Sequence, residues 1–201
     1  MGNSSRFAAI IPAAGRSGRM GKPKLLLPWR EQTILDAVLA AWNASHVDRI
    51  LVVAGELAGR YAPIVTRYGA ELVVPKPPPA EMIESVQAGL RAVGFEEGPA
   101  DTAWLVAPAD QPCLSPELIN RLLEHHDPNS PAVLLPTDGS SRGHPVLFPA
   151  EAASAALRLE SGRTLRDVVA RFAVREVAWA DSRAWADVDT PADYRRLLGG
   201  D

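Results

Sequence analysis

Short apolar runs recur along this chain at 7–12, 49–54, 70–74, 103–107 and 132–136, separated by stretches whose apolar residues return every three or four positions. The runs are mostly continuous rather than alternating. That is the pattern of strands covered on both faces, where neither side of the pleat meets water. Strand and helix units in alternation demand right-handed crossovers, and so predict an α/β fold: a doubly wound, mostly parallel sheet with helices on both faces. In such a sheet the loops leaving the carboxyl ends of the strands carry the ligand.

The helical stretches bring their own start signals. Residues 33–46 place Leu35, Val38 and Trp42 at helical spacing, with Thr33 as N-cap and Asp36 three residues on. Residues 82–93 put Ile83, Val86, Leu90 and Val93 on one face. Ser115-Pro116-Glu117 supplies a cap and a first-turn proline ahead of Leu118, Ile119, Leu122 and Leu123. Near the end, Thr190 and Pro191 repeat the device. The proline-rich stretch 75–79 reads as a rigid loop.

The first apolar run leads straight into a loop of small residues and cations. Ala13, Ala14, Gly15, Gly18 and Gly21 let backbone N–H groups approach an anion, while Arg16, Arg19, Lys22 and Lys24 supply positive charge. This is the composition of a polyphosphate cradle. Two familiar phosphate loops are absent. No Gly-Lys-Ser/Thr follows Gly15, and glycines spaced by three do not make Gly-x-Gly-x-x-Gly.

With 201 residues the chain is expected to form one domain, 1–201, able to bury a core without disulfides. The single cysteine, Cys113, has no internal partner and sits among apolar neighbours, which suits packing in a reducing cytoplasm. A net charge of −3 argues against a sequence-independent nucleic-acid binder. No apolar run approaches the roughly 20 residues of a membrane span. The cationic field is confined to one loop. His46, His125 and His126 lie at helix ends, where the dipole favours them, and carry no chemistry in this reading.

Two segments offer hard oxygen ligands. Trp104 to Pro112 ends an apolar run with Asp110 between Pro108 and Pro112, which fix the backbone. Trp185 to Asp193 is read as a short strand running into a helix, with Asp187 and Asp189 on one side of it. Asp187 and Asp193 are read as turn and cap residues. Asp110 and Asp189 flanking a triphosphate would suffice for Mg²⁺, which takes one or two carboxylates and completes its shell with phosphate oxygens and water.

Five blocks in this order carry a family resemblance: Ala-Ala-Gly-Arg-Ser-Gly-Arg-Met-Gly-Lys-Pro-Lys (13–24), Glu-Ser-Val-Gln-Ala-Gly-Leu (84–90), Pro-Ala-Asp-Gln-Pro (108–112), Arg-Gly-His-Pro-Val-Leu-Phe (142–148) and Asp-Val-Asp-Thr-Pro-Ala-Asp-Tyr (187–194). Together they resemble the MobA-like nucleotidyltransferases, and among them the molybdenum cofactor cytidylyltransferases. The resemblance implies a Rossmann-like, nucleotide-diphospho-sugar transferase-like fold. It also implies a Mg²⁺-dependent enzyme that transfers a nucleotidyl group from CTP, or GTP, to the phosphate of molybdopterin and releases pyrophosphate, with a molybdoenzyme or chaperone as partner.

Carried over by position, Ala13, Ala14, Gly15 and Arg16 form the nucleotide cradle. Arg19 and Lys24 hold the triphosphate, and Ser85 meets the base. Asp110 and Asp189 hold the metal, with Asp110 also counted among the catalytic residues beside Arg19 and Lys24. His144 lies towards the acceptor. Ala14, where the guanylyl branch has glycine, implies the cytidylyl branch.

The chain also departs from the pattern. Glu81 stands where many relatives have glycine, Glu84 where a small hydroxyl residue is common, and Trp29-Arg30 where a glycine-containing turn is usual. The acidic residue expected after Gly162 is missing. Glu81 brings a Cβ and a negative charge to the base-recognition region, which leaves other acceptors, such as a sugar phosphate, open. A nucleotide-binding protein without turnover is the reading from another class.

Overall fold

The computed structural model describes residues 6–15, 20–96 and 102–199. Among them runs a seven-stranded sheet of β1 (Arg6–Ala13), β4 (Arg49–Ala54), β5 (Glu71–Val73), β6 (Thr102–Val106), β7 (Val133–Thr137), β8 (Val146–Phe148) and β9 (Val174–Ala178). Their order across the sheet is β5-β4-β1-β6-β8-β7-β9, with β8 antiparallel to both neighbours and every other pairing parallel. The expected doubly wound α/β layout is present. All five runs read as strands are strands, shifted by at most a residue or so at their ends.

Alternate residues of β1 serve different layers. Ala9, Ile11 and Ala13 join a core made with α1 (Ile34–Asn43), α2 (Ala58–Arg67) and α4 (Pro116–Glu124), whereas Ile10 joins one made with α3 (Met82–Val93), α5 (Ala152–Leu157) and α6 (Leu165–Val169). A central strand with both faces buried thus reads as an unbroken apolar run. In the second layer Trp104 stacks on Phe148 with ring centroids 4.2 Å apart, which ties β8 to β6.

The predicted caps are in place. Thr33 Oγ1 accepts from the Asp36 N–H at 3.2 Å while Asp36 accepts from the Thr33 N–H at 3.2 Å, and Ser115 Oγ accepts from Leu118 N–H at 3.3 Å. Thr190 and Asp193 make the same reciprocal pair ahead of α7 (Pro191–Gly199), so Asp193 is a helix-capping residue as read.

The sequence reading does not contain β8, β9, α5 or α6, and it differs from the structure elsewhere too. Residues 185–189 form no strand. A 3-10 turn at Ser182–Trp185 runs into irregular backbone, and Val188 N–H donates to the Asp110 carbonyl at 3.0 Å instead of joining a ladder. Helix α2 went unread because Gly59 and Pro63 interrupt its pattern; Pro63 has no N–H to give the helix. Trp29-Arg30 lies in a small hairpin of β2 (Pro28–Trp29) and β3 (Gln32–Thr33), where Arg30 takes φ 53°, a conformation that normally calls for glycine.

Glycine is required where α3 meets β1. A Cβ on Gly89 would lie 2.6 Å from Ile10 Cγ2, so α3 rests directly on β1. One turn earlier on the same helix is Ser85, which that close approach holds over the carboxyl end of the sheet.

Candidate active site

Loops at the carboxyl ends of β5, β4, β1 and β6 enclose a cleft of about 950 Å³. Its floor is Ala13, Ala14 and Gly15 after β1 and Gly55 to Leu57 after β4. One wall is Pro78 to Met82 with Ser85, and the other runs from Gly21 to Leu25 and on to Asp110. The rigid proline stretch therefore has a place: it forms the cleft wall that leads into α3.

Six of the residues given site roles by the resemblance line this one cleft: Ala13, Ala14, Gly15, Lys24, Ser85 and Asp110. Asp189 joins them through Lys24, whose Nζ donates to Asp110 Oδ2 and, at 2.9 Å, to Asp189 Oδ1. Arg16 and Arg19 lie outside the described residues. His144 is absent from the lining. It is largely buried within electrostatic reach of Asp110; burial pulls its imidazole below the usual histidine range, against the opposing pull of the Asp110 charge.

Burial alone would depress the Lys24 ammonium. The hydrogen bonds and charges of Asp110 and Asp189 outweigh it, and the net shift is upward. Asp187 accepts from Gln111 Nε2 at 2.8 Å. Its carboxyl is pushed above the usual range, first by the protein packed around it, with the charges of Asp110 and Asp189 adding to the effect.

The donors suit a hard divalent cation that arrives with phosphate. Asp110 Oδ1 is buried and has no hydrogen-bond partner among the described residues, an arrangement costly for a carboxylate unless a cation takes up the oxygen. No group of three or more His, Cys, Asp or Glu side chains able to hold a metal occurs among the described residues. An ion held by Asp110 and Asp189 would need its remaining positions filled from outside the chain.

Glu81 lines the cleft, but its carboxylate turns aside. It accepts from Ser161 Oγ at 2.9 Å and from Gly162 N–H at 3.0 Å, across 80 and 81 positions of chain. Those bonds, the Gly162 amide first, lower its pKa. Glu84 folds back to accept from the Ala80 and Glu81 N–H groups at 2.5 and 3.2 Å. The two acids that stood out in the sequence thus fix the start of α3. Cys113 is half-buried in the core around α4, and burial raises its thiol, which suits packing.

Gln111 was not singled out in the sequence. It is 1% exposed, and its amide joins the Asp110 segment to the backbone of Trp185 and the side chain of Asp187. A glutamine beside a candidate ligand in a proline-bracketed loop was the available signal.

Residues 9–178 match the family model described as MobA-like NTP transferase domain. A probable molybdenum cofactor guanylyltransferase of Mycolicibacterium paratuberculosis is 32% identical over 201 residues, covering 98% of both proteins. The molybdenum cofactor cytidylyltransferase of Escherichia coli is 28% identical over 196 residues, 94% of each. The crystal structure of Rv0371c from Mycobacterium tuberculosis superposes with a TM-score of 0.83 at 29% identity, covering 98% of this chain and 100% of that one. Its manganese complex superposes at 0.77 and 27% identity over the same shares. No helix among the described residues is long and apolar enough to cross a membrane.

Proposed function

The chain belongs to the MobA-like NTP transferase family, a family of nucleotidyltransferases, and from that premise we propose that it transfers CMP from CTP to the phosphate of molybdopterin, with Mg²⁺ as cofactor and pyrophosphate as the second product. The observation that carries this reading is the convergence of Ala13 to Gly15, Lys24, Ser85 and Asp110 on one cleft, with Asp189 tied in through Lys24.

In this mechanism the N–H groups after β1 and the Lys24 ammonium hold the triphosphate, and Ser85 orients the base. By the family resemblance Arg16 and Arg19 are assigned to the same anion. Asp110 and Asp189 would hold the metal, which when bound would neutralise charge on the phosphate oxygens. A phosphate oxygen of the acceptor, guided past His144, bonds to the α-phosphorus as the bond from that phosphorus to the bridging oxygen breaks. Lys24 and Arg19 stabilise the charge that gathers on the departing pyrophosphate. The nucleophile is already an anion, so no side chain has to remove a proton.

The choice of CTP rests on Ala14. It lies on the cleft floor beside Gly55, where a Cβ added to Gly55 would meet its methyl at 3.5 Å, and the resemblance ties alanine at this position to the cytidylyl branch. GTP is the second reading, favoured by the guanylyltransferases among the relatives. A sugar phosphate is the alternative acceptor. We take 1–201 as one domain acting in the cytoplasm and passing its product to a molybdoenzyme or its chaperone.

The test is pyrophosphate release by the purified chain with molybdopterin, Mg²⁺ and either CTP or GTP, with and without chelator. Release with CTP that stops on chelation supports the assignment, and release with GTP alone reverses the base. Silence with every nucleotide and acceptor, alongside tight nucleotide binding, would mean a binding protein without turnover.

A further inference from the structure

Asp110 and Asp189 come from loops far apart in the chain, and a metal pair works only if their separation is held to a fraction of an ångström. Among the described residues, these hydrogen bonds join the loops besides those of Lys24. Val188 N–H donates to the Asp110 carbonyl at 3.0 Å. The buried Gln111 amide donates to the Trp185 carbonyl at 3.2 Å and to Asp187 Oδ1 at 2.8 Å. Both partners of Gln111 are pure acceptors, so both of its N–H groups are committed and the orientation of the amide is fixed. Gln111 Oε1 is buried with no hydrogen-bond partner among the described residues, so the side chain is oriented by its donors alone.

The same junction reaches the acceptor side. A Cβ on Gly143 would lie 2.0 Å from the Trp185 ring, so that indole rests against the backbone just before His144. By holding the Trp185 carbonyl, Gln111 links three loops: that of Asp110, that of His144 and that of Asp189.

We propose that Gln111 is a positioning residue, an amide clamp on Asp187 and Trp185 that sets the spacing of Asp110 and Asp189 and so the affinity for the metal–nucleotide complex. This rests on the assignment of Asp110 and Asp189 as metal ligands. In the clamp Asp187 is an acceptor for Gln111 rather than a ligand, and what it must supply is an oxygen, not a charge. Asparagine at 187 can supply that oxygen and alanine cannot.

The experiment is Mn²⁺ binding to the full chain with CTP present, followed by electron paramagnetic resonance, for the wild type, Gln111→Leu, Asp187→Asn, Asp187→Ala and Asp110→Asn. Thermal denaturation is recorded in parallel. Partners that orient a ligand commonly change metal affinity by about 10- to 100-fold. Gln111→Leu and Asp187→Ala should each weaken Mn²⁺ by about tenfold or more, with Asp187→Asn within about threefold of the wild type. Asp187 is at the surface, so its variants report even if Gln111→Leu fails to fold.

Equal losses for Asp187→Asn and Asp187→Ala would mean that the charge matters, and would overturn the clamp. Wild-type Mn²⁺ affinity in folded Gln111→Leu would overturn it too. If Asp110→Asn leaves Mn²⁺ binding intact, the ligand assignment fails first, and the clamp falls with it for that separate reason.

Discussion

Lys24 Nζ donates to the Asp110 carboxylate across 86 positions of chain, and the same ammonium reaches Asp189 across 165. One cation thus holds together two acids that would otherwise repel, and leaves Asp110 Oδ1 buried without a partner among the described residues. Asp110→Asn keeps the shape and removes the charge. Mg²⁺-dependent pyrophosphate release should fall by at least about 100-fold, the upper end of what losing a residue that merely supports a ligand costs. Far-ultraviolet circular dichroism should show the fold unchanged.

Lys24→Ala removes a charge-assisted contact to the triphosphate. Such bonds contribute about 1.5–3 kcal/mol, so titration calorimetry should find CTP bound roughly 10- to 100-fold more weakly. The pH dependence has a definite sign. The folded pKa of Lys24 is raised, so its stabilising contribution is fully present below about 10.4 and is lost as the pH rises through the folded value. Between about pH 7 and 10, deprotonation of Lys24 should therefore cause no fall in CTP affinity.

Glu81 behaves in the opposite sense. Its folded pKa is lowered by Gly162 and Ser161, so its tie to that loop is at full strength above about pH 4.3 and is lost as the pH falls through the folded value. Protection of the Gly162 amide, measured against its intrinsic exchange rate at each pH, should fall on acidification, and Glu81→Gln should lower it already at neutral pH. An unchanged exchange rate in the variant would show that the carboxylate is not what holds the loop.

Gly89→Ala would push a methyl into Ile10 and lift α3 from β1. Overpacking of this kind costs about 1–3 kcal/mol. The melting temperature should drop by roughly 2–4 °C for each kcal/mol. Because Ser85 rides on the same helix, CTP should also bind more weakly.

Ala14→Gly opens the cleft floor beside Gly55 by one methyl group. A methyl-sized change in a pocket shifts discrimination by about 1–3 kcal/mol, so the ratio of kcat/KM for CTP to that for GTP should fall by about 10-fold or more. A ratio unmoved by the substitution would place base selection elsewhere.

The sheet was legible because its central strands are buried on both faces and therefore spelled in unbroken apolar residues, as in Ile50 to Ala54. The caps were legible because Thr33, Ser115 and Thr190 act on neighbours a few residues away. Strand β8 escaped notice because three residues cannot establish a period, and α2 because of Pro63. The cleft was partly legible. The Ala13 to Gly15 loop and Asp110 announce themselves locally, whereas the side-chain direction of Glu81 depends on Ser161 and Gly162, 80 and 81 residues later. The setting of Gln111 beside Asp110 was legible, but its partners at 185 and 187 were not, being distant in sequence.

The bond from Val188 to the Asp110 carbonyl gives the chain's final stretch a weight that its position conceals. A protein cut after Ala178 would retain every strand described here and the whole segment that matches the family model, yet Lys24 would face one acid in place of two. Damage to the tail would thus register first in the charge balance of a pocket built mostly from the opposite end of the polypeptide.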